Sequence, residues 1–407
     1  MSICTKRRHI RAAAQRVIQR WDAGTVPSSR GLTSPARPYL HRCFNSSSGA
    51  KPAGPANFKA WLIDAHKGAL KQQTLEVFSR AAELPQQDPA ASVTVGVKFS
   101  TLNYKDAMIV QGAHGVVPQF PIVPGIDMAG VVVDSMSPLW APGDEVVLTG
   151  NKIGQHFDGG LSQVCRVQAE WLVSRPARFN LEECMAIGSA GFTAMMMVMH
   201  LEDTGALAPG KEPVLVTGAG GGVGSTAVAI LASLGHHVVA SSSRSHELEG
   251  YLTELGASEV IGRLEGDARK RPLQSQRWAA VIDTVGGPTL AAALAQTKYL
   301  GSVACVGVAA GGTLDSTVYP FVLRGIRLLG VDSTLPWNVA GYEQEVASWE
   351  RHREERLRVW QRLERDLPMS ALHLMHSTTV ALEEVPAWCE QLLQGKVRGR
   401  VVVQVAS

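Results

Sequence analysis

The segment PVLVTGAGGGVGSTAVAI, residues 213–230, constrains the fold of this 407-residue chain more than any other. An apolar, β-branched run ends in a glycine cluster with the spacing G-x-x-G-x-x-G (Gly218, Gly221 and Gly224), and a run of small residues of helical length follows. Glycines let a ligand approach the backbone, and a helix start supplies free N–H groups and the positive end of the helix dipole. The pattern predicts a site for a dinucleotide pyrophosphate. A tight turn that only packs the helix against a sheet is the alternative.

Strand-like and helix-like segments alternate after Glu183. Predicted strands cover 213–218, 237–243, 258–262, 279–286 and 301–308, and predicted helices cover 225–235, 247–256 and 289–298. Continuous apolar strands joined by helices are typical of a parallel, doubly wound sheet. We therefore expect an α/β domain in this half of the chain.

The chain before Glu183 has a different pattern, with short β-branched runs separated by Pro and Gly. These runs lie at 93–102, 128–136, 143–150 and 162–168. They predict a β-rich domain. The apolar run Met185–Met199 has fifteen residues, fewer than the roughly 20 that span a bilayer, so we expect a buried helix of a soluble protein.

The end of the second strand of the parallel sheet distinguishes NAD from NADP, because an acid there binds the ribose hydroxyls of NAD. Residues 241–244 read SSSR here, and no acid occurs before Glu247. Hydroxyls and a guanidinium suit a 2′-phosphate. The sequence therefore predicts NADPH, with a solvated surface arginine as the alternative. Arg263, after the third strand, is a candidate second cation.

Metal ligands are scarce in the loops that would supply them. In the loop IVPGIDMAG, Ile126 cannot bind a metal and Asp127 stands alone, while His114 and His156 lie in other loops. The six cysteines include no C-x-x-C pair. A catalytic zinc needs three protein ligands, so we expect a metal-free site.

Without a metal, a reduction needs a proton donor and dipoles that hold the developing negative charge. The turn STLNYKDAM offers Tyr104, whose hydroxyl can donate to a substrate carbonyl or face the nicotinamide end of the cofactor. On residue type alone, an amphipathic tyrosine at the edge of the core is an equal alternative. Asp106 is expected to fix this turn as an N-cap or loop partner.

The formal net charge of +3 is unevenly distributed. Residues 1–50 hold nine basic side chains and one acid, Asp22, so the rest of the chain is acidic overall and nucleic-acid binding has no electrostatic support. The segment is also amphipathic and serine-rich, which is the composition of an organelle transit peptide. We expect a transit peptide and flexible linker at 1–56 and a mitochondrial protein, with the plastid second. A disordered basic tail is the alternative.

Further motifs accompany the glycine cluster: LNYKDAMIVQG, FPIVPGIDMAGVV, DGGLSQ, AIGSAGFTAMMMVMHLED, IDTVGG and PFVLRGIRLLGVDS. With these motifs taken together, the chain resembles the zinc-free medium-chain dehydrogenase/reductase superfamily. Within that superfamily it resembles the acryloyl-CoA reductase (NADPH) and quinone oxidoreductase subgroup. The resemblance implies a GroES-like catalytic domain at 57–184, a Rossmann NADPH-binding domain at 185–332, and an insertion with a return to the catalytic domain at 333–407.

The resemblance also implies an activity, namely reduction of the C=C bond of acryloyl-CoA to propionyl-CoA in a cleft between the domains of a homodimer. Tyr104 is the implied catalytic residue, as proton donor or as a group that positions the cofactor. The implied cofactor contacts are Tyr104, Gly220, Gly221, Gly222, Val223, Ser242, Ser243, Arg244, Arg263, Val308, Val322, Ser333 and Arg400. A reductase of quinones or reactive enals is the alternative, and an NADPH-binding module without turnover is a third.

Two features bear on the substrate. Residues 337–354 are an extra stretch relative to the resemblance and follow Ser333, so we expect them to reshape the acyl or CoA pocket. A CoA ester also requires cations for its 3′-phosphate, and Arg324 and Lys152 are the candidates.

Overall fold

Three β-sheets lie in the part of the chain that the computed structural model describes. That part comprises residues 57–66, 69–113, 115–207, 212–265, 268–333 and 346–406, with the backbone alone for 346–352. The predictions for residues 1–56 and for His114 lie outside the described residues, as does much of the extra stretch 337–354.

The strands follow the chain in this order: β1 (Phe58–His66), β2 (Ala69–Phe78), β3 (Val93–Thr101), β4 (Asp127–Ser135), β5 (Glu145–Thr149), β6 (Val164–Val167), β7 (Val173–Ser174), β8 (Val214–Thr217), β9 (Val238–Ser241), β10 (Glu259–Ile261), β11 (Trp278–Asp283), β12 (Thr297–Cys305), β13 (Arg327–Gly330), β14 (His376–Ala381) and β15 (Arg400–Gln404).

The helices are α1 (Tyr104–Val110), α2 (Leu181–Asp203), α3 (Gly222–Ser233), α4 (Ser245–Glu254), α5 (Gly287–Gln296), α6 (Tyr319–Arg324), α7 (Val346–Asp366), α8 (Met369–Met375) and α9 (Val385–Leu393). Single 3-10 turns lie at Ala81–Glu83, Ala169–Trp171 and Leu382–Glu384.

A seven-stranded, mostly antiparallel sheet forms the β-rich part, in the order β14-β15-β3-β4-β5-β7 with β6 beside β3. The last strand of the chain, β15, pairs antiparallel with β3, so the C-terminus returns to the sheet that the first strands build. Alternate residues of β3, among them Val93, Val95 and Val97, are fully buried in its core. The strands β1 and β2 form a separate antiparallel hairpin.

The six-stranded sheet has the order β10-β9-β8-β11-β12-β13, and all its paired strands are parallel. Both faces are covered: Val216 and Ile282 belong to one buried cluster, and Leu215 and Val281 belong to another. Burial on both faces explains why these strands are apolar throughout. The predicted parallel, doubly wound sheet is confirmed, and its sixth strand, β13, is one that the sequence pattern did not predict.

The helix α2 joins the two sheets and is the one described helix that is long and apolar enough to cross a membrane. In its most apolar window, 89% of the residues are buried inside the fold, as the sequence predicts. The helix is interrupted at Gly188, where φ is +50°. A Cβ atom there would lie 2.8 Å from the Arg400 Nη2 atom and 3.0 Å from Asp127 Oδ2. Glycine therefore permits both a left-handed backbone and the approach of two charged groups.

Candidate active site

The glycine cluster joins β8 to α3 at the C-terminal edge of the parallel sheet. Gly218 has a φ of +60° and lies against Thr284, and a Cβ atom at Gly224 would lie 2.3 Å from the Gly218 carbonyl oxygen. Gly221 is the N-cap of α3. Cβ atoms at Gly220 and Gly222 would lie 2.4 Å and 2.8 Å from the side chains of Leu248 and Arg400, respectively. The loop has little room for side chains at Gly218, Gly220, Gly222 and Gly224, and it presents the start of a twelve-residue helix, which fits a dinucleotide pyrophosphate.

The segment after β9 forms the edge where a ribose would lie. Ser242 is buried and accepts a hydrogen bond from the Arg244 backbone N–H, whereas Ser243 is exposed. The Arg244 guanidinium donates to Glu247 at 3.1 Å and to the Val397 carbonyl at 3.0 Å. Arg263 is exposed just after β10, the strand beside β9. Hydroxyls and two cations therefore share one edge of the sheet, as a 2′-phosphate site requires.

Helix α1 begins at Tyr104, whose side chain is 44% exposed. Its N-cap is Asn103 rather than Asp106, which corrects one of the two roles expected for that acid. Asp106 lies three residues into the capping box, where its Oδ2 accepts from both the backbone and side-chain N–H groups of Asn103 at 3.0 Å. Burial, assisted by the charge of Asp127, raises the pKa of Asp106 to about 6. This acid fixes the turn that presents Tyr104.

Asp127 is fully buried, and three donors surround its carboxylate. The Asn103 side-chain amide donates to it at 2.8 Å, the Ser189 hydroxyl at 2.5 Å, and the Ser189 backbone N–H at 3.0 Å. Ile126 beside it is buried and offers no ligand. In the described part of the chain, no group of three His, Cys, Asp or Glu side chains is arranged to hold a metal ion.

Arg400 is buried beside this acid, against Gly222. Its guanidinium donates to the Thr101 hydroxyl at 2.8 Å, to Asn103 Oδ1 at 3.1 Å and to the Ala186 carbonyl at 3.2 Å. One cation thus contacts the glycine loop, the kinked helix α2 and the turn before Tyr104.

Of the three remaining residues predicted to contact the cofactor, one is buried and two are exposed. Ser333, just after β13, is buried, and its hydroxyl lies 2.6 Å from that of Thr193 on α2. Thr193 in turn donates to the Ser189 carbonyl at 2.6 Å. Val308 and Val322 are 64% and 72% exposed. We call the following set the buried polar cluster: Asn103, Asp106, Asp127, Ser189, Thr193, Ser333 and Arg400.

The two candidate cations for a CoA phosphate lie in different places. Lys152 is half-buried in the loop after β5. Burial of His156, assisted by the charge of Lys152, lowers the pKa of that histidine. Arg324 donates to the backbone carbonyls of Gln274, Ala295 and Thr297. Those carbonyls lie just before β11 and at the start of β12, at the edge of the parallel sheet opposite the glycine cluster. Arg324 is therefore not at the mouth of this site.

From the sequence, Asn103 was one of four residues offered by the STLNYKDAM turn and had no role of its own, and Ser189 and Thr193 had no predicted role. The one available signal was Gly188 inside an otherwise helical pattern, because such a glycine often marks a close approach. Serine and threonine in a small-residue helix are equally compatible with plain packing. Their roles depend on contacts between distant parts of the chain.

Comparison with known proteins agrees with this geometry. The family model described as alcohol dehydrogenase GroES-like domain matches residues 89–177, and that described as zinc-binding dehydrogenase matches 222–347. Acrylyl-CoA reductase AcuI of Ruegeria pomeroyi is 46% identical over 349 residues, which are 86% of this chain and 99% of that protein. The chain belongs to the medium-chain dehydrogenase/reductase superfamily. Its GroES-like and Rossmann-like parts are the seven-stranded and six-stranded sheets.

Two other members of this superfamily are similar over most of their length. The putative quinone oxidoreductase YhfP of Bacillus subtilis is 42% identical over 78% of this chain and 91% of that protein. The yhdH oxidoreductase of Salmonella enterica, solved in complex with NADP, has a TM-score of 0.75 and 40% identity. The match covers 86% of this chain and 100% of that one.

These relatives correct the expected localisation. Ruegeria and Bacillus are bacteria, which have neither mitochondria nor plastids, and their proteins are 46% and 42% identical to this chain. The predicted mitochondrial localisation, with the plastid as its alternative, is therefore wrong. Basic, serine-rich composition is shared by segments that no import machinery reads, so it was an insufficient basis.

Proposed function

We propose that this protein uses NADPH to reduce the C=C bond of acryloyl-CoA, which yields propionyl-CoA. The observation that carries the proposal is the position of Arg400. Its guanidinium lies against Gly222 of the glycine loop and donates to Asn103, the N-cap of the helix that begins with Tyr104. A single buried side chain therefore links the dinucleotide loop to the predicted catalytic residue. Similarity to AcuI supports the choice of acryloyl-CoA.

NADPH, when bound, supplies the hydride. The residues proposed to hold its pyrophosphate are those of the glycine loop, Gly220 to Val223, with Arg400 beneath them. Ser242, Ser243, Arg244 and Arg263 are proposed to bind the 2′-phosphate, because they place hydroxyls and cations at one sheet edge. The residues proposed for the nicotinamide side are Tyr104, Val308, Val322 and Ser333.

Tyr104 is proposed to polarise the thioester. Its exposed position at the start of α1 leaves the hydroxyl free to reach a ligand, while Asn103 and Asp106 hold the turn behind it. A hydroxyl that donates to the thioester carbonyl stabilises the negative charge that develops there when the β-carbon gains a hydride. Protonation of the α-carbon then completes the reduction.

The domain boundaries at 57–184, 185–332 and 333–407 and a homodimer are part of the same proposal. Strand β13 lies at the open edge of the six-stranded sheet, and exposed apolar side chains, Val318, Tyr319 and Leu323, lie on the neighbouring α6. An open edge beside an apolar surface favours pairing with another copy. Light scattering on the Val318→Asp variant should show a monomer where the wild type is a dimer.

A reductase of quinones or reactive enals is the second candidate. Similarity to YhfP supports it, since that protein carries the name of a putative quinone oxidoreductase. The same fold and the same cofactor loop serve either acceptor, so only the acceptor distinguishes the two candidates.

Steady-state NADPH oxidation tests the proposal, with acryloyl-CoA, crotonyl-CoA, free acrylate and a quinone compared in parallel and NADH as the cofactor control. We expect the highest kcat/KM for acryloyl-CoA with NADPH. Preference for the quinone would establish the second candidate. The Tyr104→Phe variant should lower kcat with acryloyl-CoA by about 10- to 100-fold, because it loses one hydrogen bond made to the developing charge.

A further inference from the structure

Helix α7 places an arginine where its pattern calls for an apolar residue. Among its described side chains, the buried ones follow helical spacing: Arg356, Val359, Trp360, Leu363 and, at its last residue, Asp366. Arg356 is only 4% exposed. Arginine is seldom buried without a charged partner, because removing a cation from water is costly.

The Arg356 guanidinium touches three separate parts of the fold. Its Nη2 atom donates to the hydroxyl of Thr149 at 2.6 Å and to the carbonyl of the same residue at 2.5 Å. Its Nη1 atom lies 3.5 Å from the Ser333 carbonyl, and its plane lies over Phe192 of α2, 4.5 Å from the ring centroid. Thr149 ends β5 of the seven-stranded sheet, and Ser333 follows β13 of the six-stranded sheet. One side chain therefore joins the ends of both sheets.

The charge of Arg356 has no carboxylate partner among the ion pairs of the described residues, and its Nε atom has no hydrogen-bond acceptor there. Arg362 on the same helix is different, because it binds Glu202 through both terminal nitrogens at 2.6 and 2.8 Å. Burial lowers the pKa of Arg356 to about 10, so the group stays a cation at neutral pH. The carboxylates of Asp127 and Glu355 favour the charged form without forming an ion pair with it, so the burial of this cation is only partly offset and an apolar residue of similar size would cost less.

The buried polar cluster continues from this cation toward Tyr104. The Ser333 hydroxyl meets Thr193, Thr193 donates to the Ser189 carbonyl, and the Ser189 hydroxyl donates to Asp127. Asp127 accepts from Asn103, the residue before Tyr104. Arg356 therefore lies at one end of a series of hydrogen-bonded groups, and the N-cap of α1, Asn103, lies at the other end.

We propose that Arg356 is a positioning residue for the reduction, which holds Thr149 and Ser333 in place and provides a fixed positive charge at the end of the hydrogen-bonded series that leads to Asn103. This inference rests on the proposed function. When a hydride adds to the β-carbon, the C=C electron pair moves toward the carbonyl and an enolate oxygen carries the negative charge. A proton then adds to the α-carbon and the carbonyl re-forms. A buried cation in a water-poor interior favours the enolate, and it is already in place when the charge appears.

The test compares Arg356→Met, Arg356→Lys and Arg356→Gln in the full chain, with Arg362→Met as the matched control from the same helix. With acryloyl-CoA, we expect Arg356→Met to lower kcat by about 10- to 100-fold while KM for NADPH changes by less than about threefold. The primary isotope effect with deuterated NADPH should rise, because hydride transfer becomes more rate-limiting. Arg356→Lys should recover much of kcat, since it keeps the charge.

Arg362→Met should lower the melting temperature and leave both kcat and the isotope effect unchanged. The proposal is overturned if Arg356→Met retains the wild-type kcat, or if Arg362→Met loses as much activity as Arg356→Met. If Arg356→Met does not fold, the role of the charge is tested by comparing kcat of Arg356→Lys with that of Arg356→Gln. Equal kcat values in these two variants would overturn that role.

The activity of the wild type with acryloyl-CoA distinguishes a failure of the proposed function from a failure of this inference. A wild type that does not reduce acryloyl-CoA contradicts the proposed function alone. The same variants are then compared with the acceptor that the wild type does reduce, where a raised isotope effect in Arg356→Met still supports the inference and an unchanged one overturns it.

Discussion

Two groups of charged residues serve the candidate site, and they differ in burial. At the proposed 2′-phosphate edge, Arg263 is exposed and Arg244 is partly exposed, with its guanidinium on Glu247 and nearby backbone carbonyls. In the buried polar cluster, Arg400 and Asp127 lie away from solvent, and neighbouring groups satisfy their hydrogen bonds. Exposed charges can select a ligand with little effect on stability, whereas the fold itself depends on buried ones.

The largest effect is expected from Arg400→Gln. The change removes donors from Thr101 and Ala186 and removes a cation whose charge acts on the buried Asp127 and Asp106. We expect a loss of about 3 to 5 kcal/mol in the free energy of unfolding, measured by chemical denaturation. Arg398→Gln is the control, because Arg398 is exposed two residues earlier. Equal losses in the two variants would contradict the comparison.

A smaller change tests the contact between the glycine loop and this cluster. In Gly222→Ala the new Cβ atom would lie 2.8 Å from the Arg400 Nη1 atom, so loop or arginine must move. We expect NADPH affinity to fall about 100-fold in calorimetry, roughly the loss of two hydrogen bonds to a charged group. Gly250→Ala on α4 meets nothing within 4 Å and should bind NADPH as the wild type does.

The buried acid of the cluster makes stability depend on pH. The pKa of Asp106 is raised to about 6 by burial and by Asp127, from an ordinary 3.8. Because the unfolded chain ionises this group more easily, the stability it confers is full below about pH 4 and is lost as pH rises through about 6. Relative to Asp106→Asn, the wild type should lose about 3 kcal/mol between pH 4 and pH 7.

Denaturation curves at several pH values measure this loss. The exposed Asp203, changed to Asn, serves as the control and should leave the pH dependence of the wild type unaltered. If the free energy of unfolding changes with pH equally in the wild type and in Asp106→Asn, the prediction is contradicted, because the surroundings of the carboxyl group would then not destabilise its charged form.

The smallest effect on stability is expected at the exposed edge. Arg244→Ala removes an ion pair with Glu247 that lies on the surface, so the melting temperature should hardly change. KM for NADPH should rise about 10- to 30-fold while KM for NADH stays the same, because one charged contact to the 2′-phosphate is lost. Arg263→Ala should have a smaller effect in the same direction. An equal rise for both cofactors would contradict a 2′-phosphate site.

Burial and strand composition also determine which strands could be predicted from the sequence. Five strands of the parallel sheet were predicted: the inner strands β8, β9, β11 and β12, which are mostly buried and apolar, and the edge strand β10, which contains the β-branched Val260 and Ile261. Strand β13, a partly exposed edge strand with the sequence RLLG, has no β-branched residue and was missed. The hairpin was missed as well, because β2 is largely exposed and lacks regular apolar alternation.

The candidate site was predictable only where its chemistry is local. The glycine cluster signals its role by itself, because loop, strand and helix are contiguous in the chain. Asn103, Thr193 and Arg356 signal nothing alone, since each acts through partners from distant segments, as Thr193 does with Ser333. Asp106 was recognised as a residue that fixes the turn, but the choice between N-cap and capping-box partner required the backbone geometry.

The most direct test of the central claim follows the hydrogen atoms. The full chain is incubated with acryloyl-CoA and NADPH deuterated at the transferred position, and the product is analysed by mass spectrometry and NMR. We predict propionyl-CoA with one deuterium at the β-carbon, and with one deuterium at the α-carbon when the reaction is run in D₂O with unlabelled NADPH. Recovery of unchanged acryloyl-CoA, from a protein that still oxidises NADPH when a quinone is supplied, would contradict the proposed reduction of acryloyl-CoA.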